Sequence, residues 1–221
     1  MSEETLFNGI IFVAAVVSAI LIFSKSLTMN KRVSKALREF AAMKGLNPGT
    51  AKNPGDILFI GKNRGFPFVL ERVAEHGKPT GNVNPGTQKD PAHAGHAQHT
   101  FTRMRITMSG LPSGMSIYRV NATRKIPDMP GAQDVRTGDP DVDGYFIVKG
   151  KDAEEVTRFL TPERLNALKI HLKGREHFDL RDNGLRYERK NAADSISELS
   201  KLYNKMGEFA ASFGVRPPVE G

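Results

Sequence analysis

The run LFNGIIFVAAVVSAILIFS, residues 6–24, constrains this chain more than any other stretch, because it carries no charge over 19 residues. Coiled as a helix at ~1.5 Å per residue it would be roughly 28 Å long, close to the hydrocarbon thickness of a bilayer. A buried core helix would show a polar stripe, whereas the polar side chains here are only Asn8, Ser18 and Ser24. A cleavable signal peptide would open on basic residues, whereas residues 1–8 offer Glu3 and Glu4 and no Lys or Arg. The pattern predicts a retained transmembrane helix. Ala14/Ser18 and Ala15/Ala19 set small residues four apart, a spacing that permits close helix–helix contact and hence a homo-oligomer.

Charge beyond the run sets its direction. Lys25, Lys31, Arg32, Lys35, Arg38 and Lys44 follow with Glu39 as the lone acid, a net +5 over residues 25–44. Basic flanks stay on the cytoplasmic side, so the expectation is an inner-membrane, single-pass protein with its N-terminus outside and its C-terminal domain in the cytoplasm. The overall charge of +8 could suggest nucleic acid, but much of the excess sits where anionic lipid would meet it. Lys25, Lys31, Arg32, Lys35 and Arg38 are therefore read as membrane-surface contacts, with the lipid bilayer as partner and nucleic acid disfavoured.

The rest divides into a basic amphipathic helix within residues 25–46, an α+β domain over 47–214 and a tail from 215 to 221. NKRVSKALREFAAMKGL places Val33, Leu37 and Phe40 on one face and is read as a helix of the domain, stopped by Gly45. DILFIG and FPFVLERV flank Lys62-Asn63-Arg64-Gly65 as a hairpin, with Pro67 implying an edge strand or a late start. Residues 76–100, with three prolines and almost no apolar side chain, predict a long flexible loop. FTRMRITM and MSIYRVNAT are expected to pair around Gly110–Gly114, and EHFDL with LRYER around Arg181-Asp182-Asn183-Gly184, where Asn-Gly supplies positive φ. Asp152 opens a helical turn, Thr161-Pro162 a second helix, and Ala193–Phe213 forms a last one with Ile196, Leu199, Leu202, Met206, Phe209 and Phe213 on its stripe. The fold class is α+β, an antiparallel sheet with flanking helices, preceded by one N-terminal transmembrane helix.

Three clusters invite chemistry. In GDPDVDGYFIVKG, Asp139, Asp141, Asp143 and Gly144 fill positions 1, 3, 5 and 6 of a calcium loop, but position 12, where a bidentate glutamate belongs, is Gly150. The competing reading is a turn with Asp139 and Pro140 initiating and Gly144 leading into a strand. His93, His96 and His99 offer imidazoles to zinc, copper or nickel, although an extended three-residue step of roughly 9 Å holds neighbours too far apart for one ion. Arg103, Arg105, Arg119, Arg124 and Lys125 could form a basic sheet face for RNA or phosphate, or a solvated one, with Phe101 and Tyr118 its only aromatics. The chain has no cysteine, which removes disulfides, thiolate metal sites and a thiol nucleophile. It also has no Walker loop, G-x-S-x-G, G-x-G-x-x-G or H-E-x-x-H. No cofactor is expected.

Taken in order, the apolar anchor, ALREFAAMKGL, GKNRG, TGDPDVDGYFIVKG, LTPERLNAL and DNGLRYER resemble families of uncharacterised bacterial membrane-anchored proteins. In these a T-G-D-x-x-[FV]-D element precedes a strand and a leucine-threonine-proline helix start. The resemblance implies a bacterial inner-membrane protein in which Asp139 and Asp143 form a turn, and it does not extend to the His-bearing stretch 76–100. The functional expectation is a non-enzymatic, membrane-tethered binding or assembly module, an accessory subunit of a larger membrane complex with a protein partner. The alternative is a divalent-metal-responsive module using the Asp139/Asp141/Asp143 or His93/His96/His99 residues. A catalytic site assembled from residues distant in sequence is a third reading.

Overall fold

The computed structural model describes residues 32–51, 53, 56–76, 98–120, 130–173, 178–190 and 195–215. The apolar run 6–24, with Lys25 and Lys31, lies outside them. Among the described residues no helix is long and apolar enough to cross a membrane.

The chain enters through α1 (32–43), whose Val33, Ala36, Leu37, Phe40 and Ala41 recur at helical spacing and are all buried. It ends where Gly45 takes φ +65° and the amides of Gly45 and Leu46 donate back to Ala42 O at 3.2 Å and Ala41 O at 2.8 Å. A glycine is needed there because a side chain is strained at positive φ. After α1 come β1 (Asn47–Pro48), β2 (Ile57–Asn63), β3 (Phe66–His76), β4 (Gln98–Thr107), β5 (Ser116–Arg119), β6 (Gln133–Asp134) and α2 (Pro140–Tyr145). The remainder is β7 (Phe146–Gly150), α3 (Ala153–Phe159), α4 (Pro162–Leu172), β8 (Phe178–Arg181), β9 (Gly184–Lys190) and α5 (Ile196–Ser212). The α+β expectation holds: among the described residues nine strands form one antiparallel sheet in the order β1-β2-β3-β4-β9-β8-β5-β7-β6. Two-residue strands close both edges and leave little backbone free to pair with another chain.

Three local expectations are corrected. The strands around Gly110–Gly114 do not pair with each other: β4 pairs with β3 and β9, while β5 pairs with β7 and β8. The β8–β9 hairpin lies between them, a non-local arrangement that adjacency in sequence cannot reveal. The β8–β9 hairpin forms as expected and Gly184 has a positive φ of 136°, but its two-residue turn is Asp182-Asn183 and Gly184 follows it; a turn with two positive φ values, 51° and 86°, stands at Arg64-Gly65 between β2 and β3, as a type I′ turn requires. Gly184 opens β9 opposite Arg181, where a Cβ would lie 2.0 Å from Ile106 O on β4. Finally, β4 begins at Gln98, three residues before Phe101, so His99 and Thr100 are strand residues and not loop. Pro67 is accommodated by a late start. It faces Lys62 in β2, while pairing with β4 begins only at Phe68, so its missing N–H leaves no gap in that ladder.

One row of side chains shows why the helices pack where they do. Phe68, Ile106, Leu185, Leu180, Ile117 and Val148 are successive partners across six strands and all are buried. Leu70, Met104, Tyr187 and Phe178 form the next row. Against this face lie the stripe Leu199, Leu202, Met206, Phe209 and Ala210 of α5, the apolar face of α1, Val142 of α2, Val156 of α3 and Leu165, Leu168 and Leu172 of α4. Each such side chain fully removed from water contributes about 1.5–3 kcal/mol. The first hairpin is pinned to α5 by polar contacts as well. Buried Asn63 donates to Tyr203 O at 2.6 Å, the Tyr203 hydroxyl donates to Lys62 O at 2.7 Å, and Gly207 leaves room for the Asn63 amide.

Candidate functional site

The aspartate-rich segment folds from its own backbone chemistry. Thr137 and Gly138, the latter at φ +78°, turn the chain into Asp139, which is extended at φ −95° and ψ 111°. The Asp139 carboxylate accepts from Asp141 N at 3.0 Å and Val142 N at 3.2 Å, capping α2, and Pro140 presets the first helical φ. Asp143 reaches back over the preceding turn, accepting from Thr137 N at 3.0 Å, the Thr137 hydroxyl at 2.9 Å and Gly138 N at 3.2 Å. Thr137 Oγ1 in turn accepts from Asp139 N at 3.2 Å. A helix thus starts inside the stretch that a calcium loop would need for wrapping an ion.

Lys169 of α4 and Lys173, which caps its C-terminus, complete the arrangement. Lys169 Nζ donates to Asp139 Oδ2 at 2.7 Å, and Lys173 Nζ lies 3.6 Å from Asp141 Oδ1 and 4.3 Å from the centre of the Tyr145 ring. The Lys169 hydrogen bond, helped by the Val142 and Asp141 amides, holds the Asp139 carboxyl below the usual carboxylate range. The three aspartates are therefore turned to three different partners, and Val142 between them is buried. Chemically this is a clasp between α2 and α4. Among the described residues no group of three or more His, Asp or Glu converges as a metal shell would. His93 and His96 lie outside the described residues, and His99 sits on β4 opposite Glu75.

The arginines predicted to share a sheet face do so only in part, and carboxylates accompany them. Arg103 and Arg105 lie on the side of β4 opposite the helices. Glu188 accepts from both Arg103 and Arg186, and Glu71 accepts from Arg105. Burial alone would push the Glu188 carboxyl up, but the hydrogen bonds and charges of Arg186 and Arg103 outweigh it and leave the group below its ordinary range. Arg181 pairs with Asp179 at 2.7 Å further along this face. Arg119 lies on β5, while Arg124 and Lys125 are outside the described residues.

The basic collar keeps its exposure. Arg32, Lys35 and Arg38 lie on the side of α1 away from the core, Lys35 with a loose 3.7 Å contact to Glu39, and Lys44 rests 5.2 Å from the Tyr203 ring centre. Sequence reasoning missed Lys169 and Lys173 as the aspartates' partners. It also missed Arg164, which donates to Phe159 O at 2.6 Å and Phe213 O at 2.9 Å while stacking 3.9 Å from the Phe159 ring centre. A basic residue at helical spacing carries no signal of which distant acid or carbonyl it will meet. His171 is half-buried edge-on to Phe209, and burial lowers its pKa.

No family model matches the chain and no curated relative matches it. Among solved structures it is similar to the crystal structure of the mycobacterial trehalose monomycolate transport factor A, TtfA, at 9% identity, over 87% of this chain and 98% of that one, with a TM-score of 0.48. A likeness this distant says nothing of what the chain does.

Proposed function

We propose that the chain is a non-enzymatic binding or assembly module, tethered to a bacterial inner membrane by residues 6–24 with its α+β domain in the cytoplasm. In this reading it serves as an accessory subunit that holds a protein partner near the bilayer. The observation that carries the proposal is the division of labour on α1. Its apolar side is consumed by the domain core, and Arg32, Lys35 and Arg38 face outward. Only residues 25–31 separate that helix from the apolar run, a tether of at most about 25 Å if fully extended. A basic stripe held this close to an anionic leaflet gains about 1 kcal/mol per Lys or Arg at the surface. The non-enzymatic reading is supported by the polar clusters of the domain, in which Asp139, Asp143, Glu188 and Arg164 are engaged in contacts that hold elements together. The metal-responsive alternative has less behind it, since Asp139 and Asp141 answer lysines and Asp143 answers backbone amides.

Alkaline carbonate extraction of membranes carrying the full chain tests the tether. The protein should remain in the pellet, and release into the supernatant would refute an integral anchor. Crosslinking in native membranes followed by mass spectrometry should then return a partner joined to the domain; recovery of uncrosslinked monomer alone would refute the assembly role.

A further inference from the structure

The sheet has a second face, turned away from the core that all five helices fill with their apolar side chains. Its central row is Ile60, Val69, Arg105, Arg186, Asp179, Tyr118 and Ile147, successive register partners on β2, β3, β4, β9, β8, β5 and β7. Ile60 is 46% exposed and the Arg105 side chain 49%. Arg186 stands at the middle of this row. Two apolar residues end it on each side, and an arginine and an aspartate flank the centre one strand to either side.

The charges on this face nearly cancel. Arg103, Arg105, Arg181 and Arg186 stand among Glu71, Glu188 and Asp179, +4 against −3 over these seven residues. Such a face gives RNA or an acidic surface little to hold. It does fit a copy of itself turned round. A two-fold axis running along β9, in the plane between two facing sheets, reverses the row. Ile60 then meets the second copy's Ile147, Val69 meets its Tyr118, and Arg105 lies above its Asp179–Arg181 pair, each contact occurring twice. A two-fold axis across the strands would set Arg105 on Arg105 and Asp179 on Asp179, which like-charge repulsion disfavours. The axis along the strands also leaves both copies of α1, whose first turn meets the sheet where Ser34 accepts from Arg72 at 3.1 Å, starting at the same end of the assembly.

We propose that this sheet face is the contact between two copies of the chain, packed face to face about 10 Å apart around a two-fold axis along β9. Seven strands ~4.8 Å apart make the face about 29 Å wide, so that strands about 20 Å long give a footprint of roughly 600 Å². Corrugation by side chains brings this near the roughly 800 Å² per partner of a stable interface. The contact stands on the domain alone. Its agreement with two chains held in one membrane, which need both α1 helices at one end, rests on the tethered reading above.

The chain has no cysteine, so introduced thiols report without background. Full-length Ile60→Cys, Ile147→Cys and the double variant carrying both would be treated with a short flexible bis-maleimide in mild detergent. The reference is a double variant joining Ile60→Cys to Ile170→Cys, the latter 65% exposed on α4 on the side of the helices. Within one chain positions 60 and 147 are about 29 Å apart, and the axis sets each as far from its own copy. Covalent dimer is therefore expected from the 60/147 variant, and little from either single variant or from 60/170. Adding Arg105→Asp to the 60/147 variant sets acid above acid twice and should lower the yield about tenfold. No covalent dimer from 60/147 overturns the proposal. Equal yields from 60/170 or from the single variants mean copies joined elsewhere, through the apolar run 6–24 for instance, and overturn it as well. A yield unchanged by Arg105→Asp overturns the arrangement around β9. Each of these results leaves the tether to be decided by carbonate extraction.

Discussion

Replacing Phe40 by alanine separates two ways in which a basic amphipathic helix such as α1 can dispose of its apolar face. If α1 lay along the headgroups, Phe40 would sit in lipid, and its loss would leave the domain's stability nearly unchanged. In the structure Phe40 has no exposed surface and meets the Tyr203 ring edge-on at 5.7 Å, while Tyr203 meets Phe68 of the sheet at 4.9 Å. Truncating such a phenylalanine removes its transfer free energy and leaves a cavity, together about 3–5 kcal/mol. The lost ring pair accounts for about 0.5–1.5 kcal/mol of that. Against a total stability of about 5–15 kcal/mol this is a large fraction. With a urea slope of about 2 kcal/mol per molar, the unfolding midpoint of the full chain in mild detergent should fall by roughly 2 M. Lys35→Ala, on the exposed side of the same helix and with only a loose partner, should cost under about 0.5 kcal/mol. A shift for Phe40→Ala of less than about 1 kcal/mol would refute the packing described here.

Three further outcomes are expected. Gly184→Ala should prevent stable folding, since its methyl would fall 2.0 Å from Ile106 O, whereas Gly131→Ala, at φ +77° with open space around it, should cost only about 1–2 kcal/mol; thermal melts of both variants compare them. Glu188→Ala should cost about 3–5 kcal/mol by leaving the guanidinium groups of Arg103 and Arg186 without their shared acceptor, and Glu188→Gln less, as read by denaturant titration. Because the folded-state pKa of Asp139 is lowered, its stabilising effect is present above the unfolded carboxyl value and disappears as pH falls through the folded one. The stability gap between the native chain and Asp139→Asn should accordingly be widest near neutral pH and close in acid, and a gap that is flat with pH would contradict the Lys169–Asp139 pair.

What could be read from the residues, and what could not, follows the range of the interactions involved. The α5 stripe and the Thr161-Pro162 start of α4 are local signals, and they appear where the sequence places them. Asp152 likewise caps α3, accepting from Glu154 N and Glu155 N. The pairing of β4 with β9 joins residues some 80 positions apart, and FTRMRITM offers no hint that its neighbour will be LRYER and not MSIYR. The aspartate segment was legible as two alternatives. Deciding between them took Lys169 and Lys173, which are about 30 positions downstream and reach Asp139 and Asp141 only because α4 packs beside α2. The Asn-Gly signal located the hairpin and a positive φ at Gly184, but Gly184 follows the turn, and what demands a glycine there is the close approach of β4.

The absence of cysteine makes the orientation directly measurable. Single cysteines placed at Ser2→Cys and at Ala211→Cys, an exposed position on α5, would be exposed to a membrane-impermeant maleimide in intact spheroplasts and again after lysis. The account predicts that position 2 labels at once and that position 211 labels only when the membrane is opened. Immediate labelling of position 211 in intact spheroplasts would contradict it.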